Sequence, residues 1–164
     1  MIISLIAAID SNYGIGADNK LLWHLPDDFK WFKQHTIGKP LIMGRNTMLS
    51  LGKPLPKRLN IVISSSGKDI IDGFIHVQSI EEALNAIPEN TEEVMVIGGG
   101  MVYTQMLELA NKLYITFVKH AFQNIDTSFP KWKDEEWKEV YRESHGIDEA
   151  HLYPFDLCIF NKIA

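Results

Sequence analysis

Two kinds of side chain in this sequence are placed to act on a ligand: one carboxylate among aromatic residues, and a set of glycines, hydroxyls and arginines that follow apolar runs. The carboxylate lies in Trp23-His24-Leu25-Pro26-Asp27-Asp28-Phe29-Lys30-Trp31-Phe32, which reads as a loop entering a helix at Pro26. At about 100° per residue, Leu25, Phe29, Phe32 and Thr36 form an inward stripe. Asp27 points almost the opposite way, and solvation plus the helix dipole suffice to explain it. Asp28 sits roughly 60° from the centre of the stripe, on the shoulder of the aromatic face. No basic residue occupies a facing helical position, so this half-buried acid calls for another partner. A ligand edge that donates two hydrogen bonds, such as the amidine-like edge of a heterocycle, meets the need.

The second set falls at three places. Gly44-Arg45-Asn46-Thr47, Ser64-Ser65-Ser66-Gly67 and Gly98-Gly99-Gly100 each end an apolar run. Any one of them alone is an ordinary turn. In a parallel sheet, however, the carboxyl ends of the strands share one edge, where open α/β sheets bind ligands. Three consecutive glycines let a ligand approach the backbone, and a following helix offers free N–H groups to a pyrophosphate. The spacing is neither the Gly-x-Gly-x-x-Gly fingerprint nor a P-loop. Arg45, Thr47, Ser64 and Ser65 combine charge and hydroxyls suited to an extra monoester phosphate, as on the ribose of a phosphorylated adenosine. Arg58, behind the stiff segment Pro54-Leu55-Pro56, is either a solvated surface residue or a two-pronged grip for a carboxylate.

The elements that must position these groups alternate. Met1 to Ile9 is a nearly continuous apolar run, as expected of a strand covered on both faces, and Asp10 to Lys20 reads as a long loop. The helix from Pro26 should stop near Gly38. Short strands are expected at Pro40–Gly44, Leu59–Ile63, Phe74–Val77, Glu93–Ile97 and Leu113–Val118. Helices should open at Arg45, at the capping box Ser79-Ile80-Glu81-Glu82, and at about Met101, this last reaching Ala110. Trp137–Glu143 and Leu152–Phe160 read as an antiparallel pair at one side of the sheet. With 164 residues and no repeat or linker, the chain reads as one α/β domain, residues 1–164.

Composition narrows the function. A formal net charge of −5 argues against a general binder of nucleic acid or of anionic membranes. Cys158 is the sole cysteine, which excludes an intramolecular disulfide and a cysteine-based zinc site, and the six histidines lack ligand spacing, so no metal is expected. The apolar N-terminus lacks a basic leader and is too short to span a bilayer, which makes the cytoplasm the default location.

Taken together the motifs resemble dihydrofolate reductases of the bacterial chromosomal type. The resemblance rests on Ser4-Leu5-Ile6-Ala7-Ala8, Trp23 with Leu25-Pro26, Asp28, Trp31-Phe32-Lys33, Lys39-Pro40, Ile42-Met43-Gly44-Arg45, Pro54-Leu55-Pro56 with Arg58, Val96-Ile97-Gly98-Gly99-Gly100 with Val102-Tyr103, and Asp126-Thr127. It implies a mainly parallel eight-stranded sheet flanked by four helices, and NADPH-dependent reduction of 7,8-dihydrofolate to tetrahydrofolate in a monomer. It further implies that Asp28 hydrogen-bonds the pterin and assists protonation of N5, supported by Thr116, with Trp23 holding a nearby water and Leu21 beside them. Ile6 and Ile97 would offer carbonyls to the pterin; Phe29, Phe32, Leu51 and Leu55 would pack on the rings; Arg58 would bind the glutamate carboxylate. For NADPH the resemblance implies Ala8 and Ile15 with Asn19, Gly44, Arg45, Asn46 and Thr47, then Ser64 and Ser65, and finally Gly98, Gly99, Gly100, Met101, Val102 and Tyr103. A cis peptide is expected at Gly98-Gly99.

Four positions depart from the family pattern: Leu22 where proline is common, Ile125 where glycine is common, and Asn46 and Met101 where some members are basic. Ile125 is expected to restrict the loop before Asp126. Two rival readings remain at this point, a reductase of another heterocycle on the same fold and a non-enzymatic nucleotide-binding module. The first need not carry Asp28 or Arg58, and the second does not account for a half-buried acid.

Overall fold

The computed structural model describes residues 1–16 and 23–163. Among these residues ten strands follow one another: β1 (Ile2–Ile9), β2 (Gly14–Gly16), β3 (Leu41–Gly44), β4 (Asn60–Ile63), β5 (Ile75–Val77), β6 (Glu93–Gly98), β7 (Lys112–Val118), β8 (Thr127–Ser128), β9 (Trp137–His145) and β10 (Phe155–Lys162). Four α-helices join them: α1 (Pro26–Thr36), α2 (Arg45–Leu51), α3 (Ile80–Asn85) and α4 (Gly100–Met106). Eight strands form one sheet in the order β5-β4-β3-β6-β1-β7-β10-β9. The first six of these pair parallel, and β10 and β9 close the edge antiparallel, as the sequence leads one to expect.

The unbroken apolar runs follow from burial on both faces. Leu5, Ile42, Ile61, Val94 and Val96 pack on one side with Val102, Tyr103 and Met106 of α4. Their strand neighbours Ile6, Leu41, Met43, Val62 and Met95 pack on the other with Trp31 of α1 and Met48 of α2. Each such side chain, fully buried, contributes roughly 1.5–3 kcal/mol. Cys158 is fully buried in β10, where desolvation pushes its thiol up to about 12.

Several local expectations change. The segment after β1 is not all loop: β2 pairs antiparallel with β8, and Asp126 N–H donates to Gly16 O at 3.2 Å. Buried Asp10 ties this ribbon down, its Oδ1 accepting from Asn12 and Gly14 N–H and its Oδ2 from Phe122 N–H. The last α-helix stops at Met106 and continues as a 3-10 turn, Leu107–Leu109. Strand β10 begins at Phe155, just after Pro154, which has no N–H to give to a ladder. The capping box forms with a shift: Ser79 Oγ accepts from Glu82 N–H, but Glu82 reaches back to Gln78 N–H.

The largest correction concerns the rotation of α1. Phe29, placed on the inward stripe, is 44% exposed and lies against His24, whereas Trp31 is 7% exposed. Trp31 stacks on Tyr141 of β9 and meets Tyr114 of β7 edge-on, so the packing demanded by the C-terminal hairpin turns the helix. That rotation carries Asp28, one turn before Trp31, from the shoulder of the helix toward the sheet.

Candidate active site

Asp28 is partly buried where the first turn of α1 crosses β7. Thr116 of β7, 1% exposed, donates its hydroxyl to Asp28 Oδ1 at 2.7 Å. Its place is fixed by the sheet, since Thr116 pairs with Ala8 of β1 on one side and Leu157 of β10 on the other. Trp23, itself buried against Phe122, supplies a second hydrogen bond to the carboxylate. Burial raises the Asp28 carboxyl to about 6, and the Thr116 and Trp23 bonds oppose the rise. The acid is thus poised near neutrality, the range in which a group can both hold and release a proton during turnover.

A second cluster gathers at the carboxyl ends of β3, β4 and β6. The Gly98–Gly99 peptide is cis, and Gly98 has φ of +126°, a conformation suited to glycine. A Cβ on Gly98 would come 3.2 Å from Thr47 Oγ1, and one on Gly44 would come 3.1 Å from Val102. Thr47 and the two glycines therefore approach one another as a close cradle of hydroxyl and bare backbone. Tyr103, 4% exposed, reaches from α4 to donate its hydroxyl to Ile6 O at 2.6 Å, so that carbonyl, expected to face the pterin, already has one partner. At the next strand ends, Arg45 Nη2 pairs with Asp69 Oδ2 at 2.8 Å, while Arg45 Nε is buried with no hydrogen-bond partner among the described residues. Ser64 is buried and Ser65 exposed at the end of β4.

This cluster fits a phosphorylated dinucleotide. An arginine with an unsatisfied N–H, hydroxyls at two strand ends and glycines that cannot bear a Cβ without crowding are the donor set that phosphate oxygens require. Asn46 and Met101 are both exposed at helix starts, Met101 at 78%, and Val102 is buried behind them. Ile15 lies in β2 and Ala8 near the end of β1. Asn19, Leu21 and Leu22 fall outside the described residues.

Arg58 lies at the far end of α1 from Asp28. Its Nη1 donates to Thr36 Oγ1 at 2.9 Å and its Nε to Pro56 O at 2.9 Å, so the fork is held by the helix end on one side and the proline loop on the other. The loop is itself fixed by Asn60, which accepts from Leu55 N–H and donates to Leu55 O and Arg58 O. Sequence reasoning missed Asn60 and Asp10, because an Asn or Asp that ties loop backbone looks in sequence like any turn former. Phe32, Leu51, Leu55 and Ile97 are partly buried around the cluster that holds Ile6 and Trp31, which lines the way from Asp28 to Arg58 with apolar surface.

Comparison with known proteins agrees with this geometry. A family model described as dihydrofolate reductase matches residues 2–162. The chain is 48% identical over 166 residues to a dihydrofolate reductase of Buchnera aphidicola subsp. Schizaphis graminum, covering 99% of this chain and all of that one. It is 43% identical to dihydrofolate reductase type 3 of Salmonella typhimurium, with 99% of each chain covered. A solved dihydrofolate reductase from Enterococcus faecalis, complexed with NADP(H) and RAB-propyl, superposes with a TM-score of 0.92 at 32% identity, covering 99% of this chain and 97% of that one. The chain belongs to the dihydrofolate reductase family, enzymes that reduce dihydrofolate to tetrahydrofolate with NADPH.

Proposed function

We propose that Asp28 is the acid of this reductase, and that the cleft between α1 and the carboxyl ends of β1, β6 and β7 holds the pterin against it. The observation that carries the reading is one carboxylate, partly buried and raised to about 6, bound by Thr116 and Trp23 rather than by a cation. Thr116 and Trp23 occupy only two of the acceptor sites on its two oxygens, which leaves the others to meet the amino group and ring nitrogen of the substrate. Protonated, the same carboxyl is a proton source for N5, through a water held near Trp23.

NADPH, when bound, supplies the hydride that goes to C6. The chain's own part is to orient and to exclude water. Gly98, Gly99 and Gly100 with Thr47 bring bare backbone to the pyrophosphate, and Ala8, Ile15 and Tyr103 border the nicotinamide. Arg45, Ser64 and Ser65 take the ribose phosphate, assisted by Gly44, Asn46, Met101 and Val102; Asn19 belongs to the same set. On the substrate side Ile6 and Ile97 offer carbonyls, Phe29, Phe32, Leu51 and Leu55 cover the rings, and Arg58 takes the glutamate carboxylate, while Leu21 belongs to the catalytic group with Asp28 and Trp23. Phe29 does so from the rim, given its exposure. Antifolates that present an amidine-like edge bind at the same carboxylate.

Residues 1–164 form a single domain in this reading, acting as a monomer in the cytoplasm. No helix among the described residues is long and apolar enough to cross a membrane. The test follows NADPH absorbance with purified protein and dihydrofolate. Oxidation should need dihydrofolate, prefer NADPH to NADH and collapse in Asp28→Asn with NADPH binding nearly intact. Equal loss of turnover and of NADPH binding would make Asp28 structural.

A further inference from the structure

Helix α1 begins without a cap of its own. Leu25 stands at the N-cap position and offers no side-chain acceptor, so the N–H groups of the first turn must find partners elsewhere. Pro26 has no N–H, and Asp28 N–H donates to Leu25 O at 3.0 Å. Asp27 N–H remains. It donates to Nε2 of His151, 124 residues further along the chain, at 3.1 Å.

The histidine is built for that contact. His151 is 3% exposed in the loop between β9 and β10, and its ring packs against Phe155. To accept at Nε2, a neutral imidazole must carry its proton on Nδ1. Asp148 Oδ1 lies 2.8 Å from Nδ1 and so holds the ring in that tautomer. Asp148 is fixed in turn: its Oδ1 also accepts from Ala150 N–H, and its backbone exchanges two hydrogen bonds with His151. The charged groups facing this ring are Asp148 from its own loop and Asp27 from α1. Behind Asp27 stand His145 and Glu143 of β9 and Lys30 of α1.

We infer that His151, locked by Asp148, is a positioning residue for Asp28, capping α1 from the C-terminal hairpin so that the carboxylate is presented to the pterin. The inference rests on the reading of Asp28 as the acid. The neighbouring residue's backbone is pinned by His151 on the hairpin side, while the carboxylate is pinned by Thr116 on the sheet side. With both anchors the acid has one place. With only the carboxylate's own bonds to Thr116 and Trp23, the first turn frays, water enters beside the carboxylate, and the desolvation that favours its protonated form weakens.

The test begins with the tautomer. Nitrogen-15 spectra of the intact protein above neutral pH should show His151 protonated on Nδ1; protonation on Nε2 overturns the proposal. His151→Leu should lower kcat/KM for dihydrofolate roughly threefold to tenfold, the range expected for loss of a helix cap. It should also move the apparent pKa of single-turnover hydride transfer downward while NADPH affinity stays unchanged. His151→Gln, which keeps an acceptor, should restore much of both. A His151→Leu enzyme with the parental pH profile, or Leu and Gln variants that behave alike, overturns the proposal. If the Leu variant does not fold, the tautomer and the Gln profile decide. Turnover that survives Asp28→Asn would sink the reading of the acid, whereas its collapse beside an unmoved His151→Leu profile would sink only the positioning role.

Discussion

Replacing Asp28 by asparagine exchanges an ionisable group for a neutral one of the same shape, and Thr116 can still donate to the amide oxygen. The carboxyl lies at about 6 in the folded protein against an ordinary value of 3.8. As pH rises, the unfolded chain gives up this proton first, and ionising the folded form costs more. The stability contributed by the protonated acid is therefore whole below about pH 4 and is lost as pH rises through about 6. A gap of about two units corresponds to about 3 kcal/mol at pH 7 and above. Asparagine has no proton to lose, so ligand-free Asp28→Asn should be more stable than the parent by about that amount at pH 7. For a chain of this size the gain in Tm is roughly 6–12 °C. Denaturant and thermal unfolding of both proteins between pH 4 and 8 would measure it. The advantage must vanish toward pH 4. A gap independent of pH, or a variant less stable than the parent at pH 8, would refute the claim that a desolvated charge is stored at this site.

Three further outcomes test the surroundings. Thr116→Val removes a bond that favours the charged carboxylate, so the pH profile of single-turnover hydride transfer should shift alkaline by roughly one unit; no shift, or an acidic one, would contradict the geometry. Arg58→Leu should raise KM for dihydrofolate roughly 30-fold or more with little change in NADPH affinity, since it deletes a charged fork already held by Thr36 and Pro56; steady-state kinetics with each ligand varied in turn would show whether the loss is confined to the folate. Ile125 fills the space that a Cβ on Gly14 would take and so joins the β2 side of the ribbon to the segment before Asp126; Ile125→Gly should change hydride transfer or product release, and pre-steady-state kinetics identical to the parent would dismiss any restricting role.

The sheet was legible because its strands are covered on both faces, and a run such as Leu41-Ile42-Met43 leaves little other choice. The place of the glycines, hydroxyls and arginine was legible for a similar reason: each set follows an apolar run and stands at the end of β3, β4 or β6. What escaped were features set by partners distant in sequence. The ribbon of β2 and β8 joins segments more than a hundred residues apart through two short strands, too short to show a period. The rotation of α1 escaped for the same reason. A helical wheel ranks Phe29 and Trp31 by the average direction of apolar residues on one helix, while the structure ranks them by what lies opposite.

That rotation joins the fold to the chemistry. Periodicity alone set Asp28 on a shoulder and left Asp27 to solvent, so the pair looked like two first-turn acids of which one was half hidden. Packing of Trp31 on Tyr141 requires the hairpin of β9 and β10 to be in place, and the same hairpin delivers His151 to the start of the helix. The antiparallel edge of the sheet, which holds none of the glycine and arginine loops, thus helps orient the carboxylate. Substitutions at Tyr141 or Phe155 that loosen the hairpin should accordingly act on dihydrofolate turnover before they act on NADPH binding, because the glycine and arginine loops stand at the ends of β3, β4 and β6.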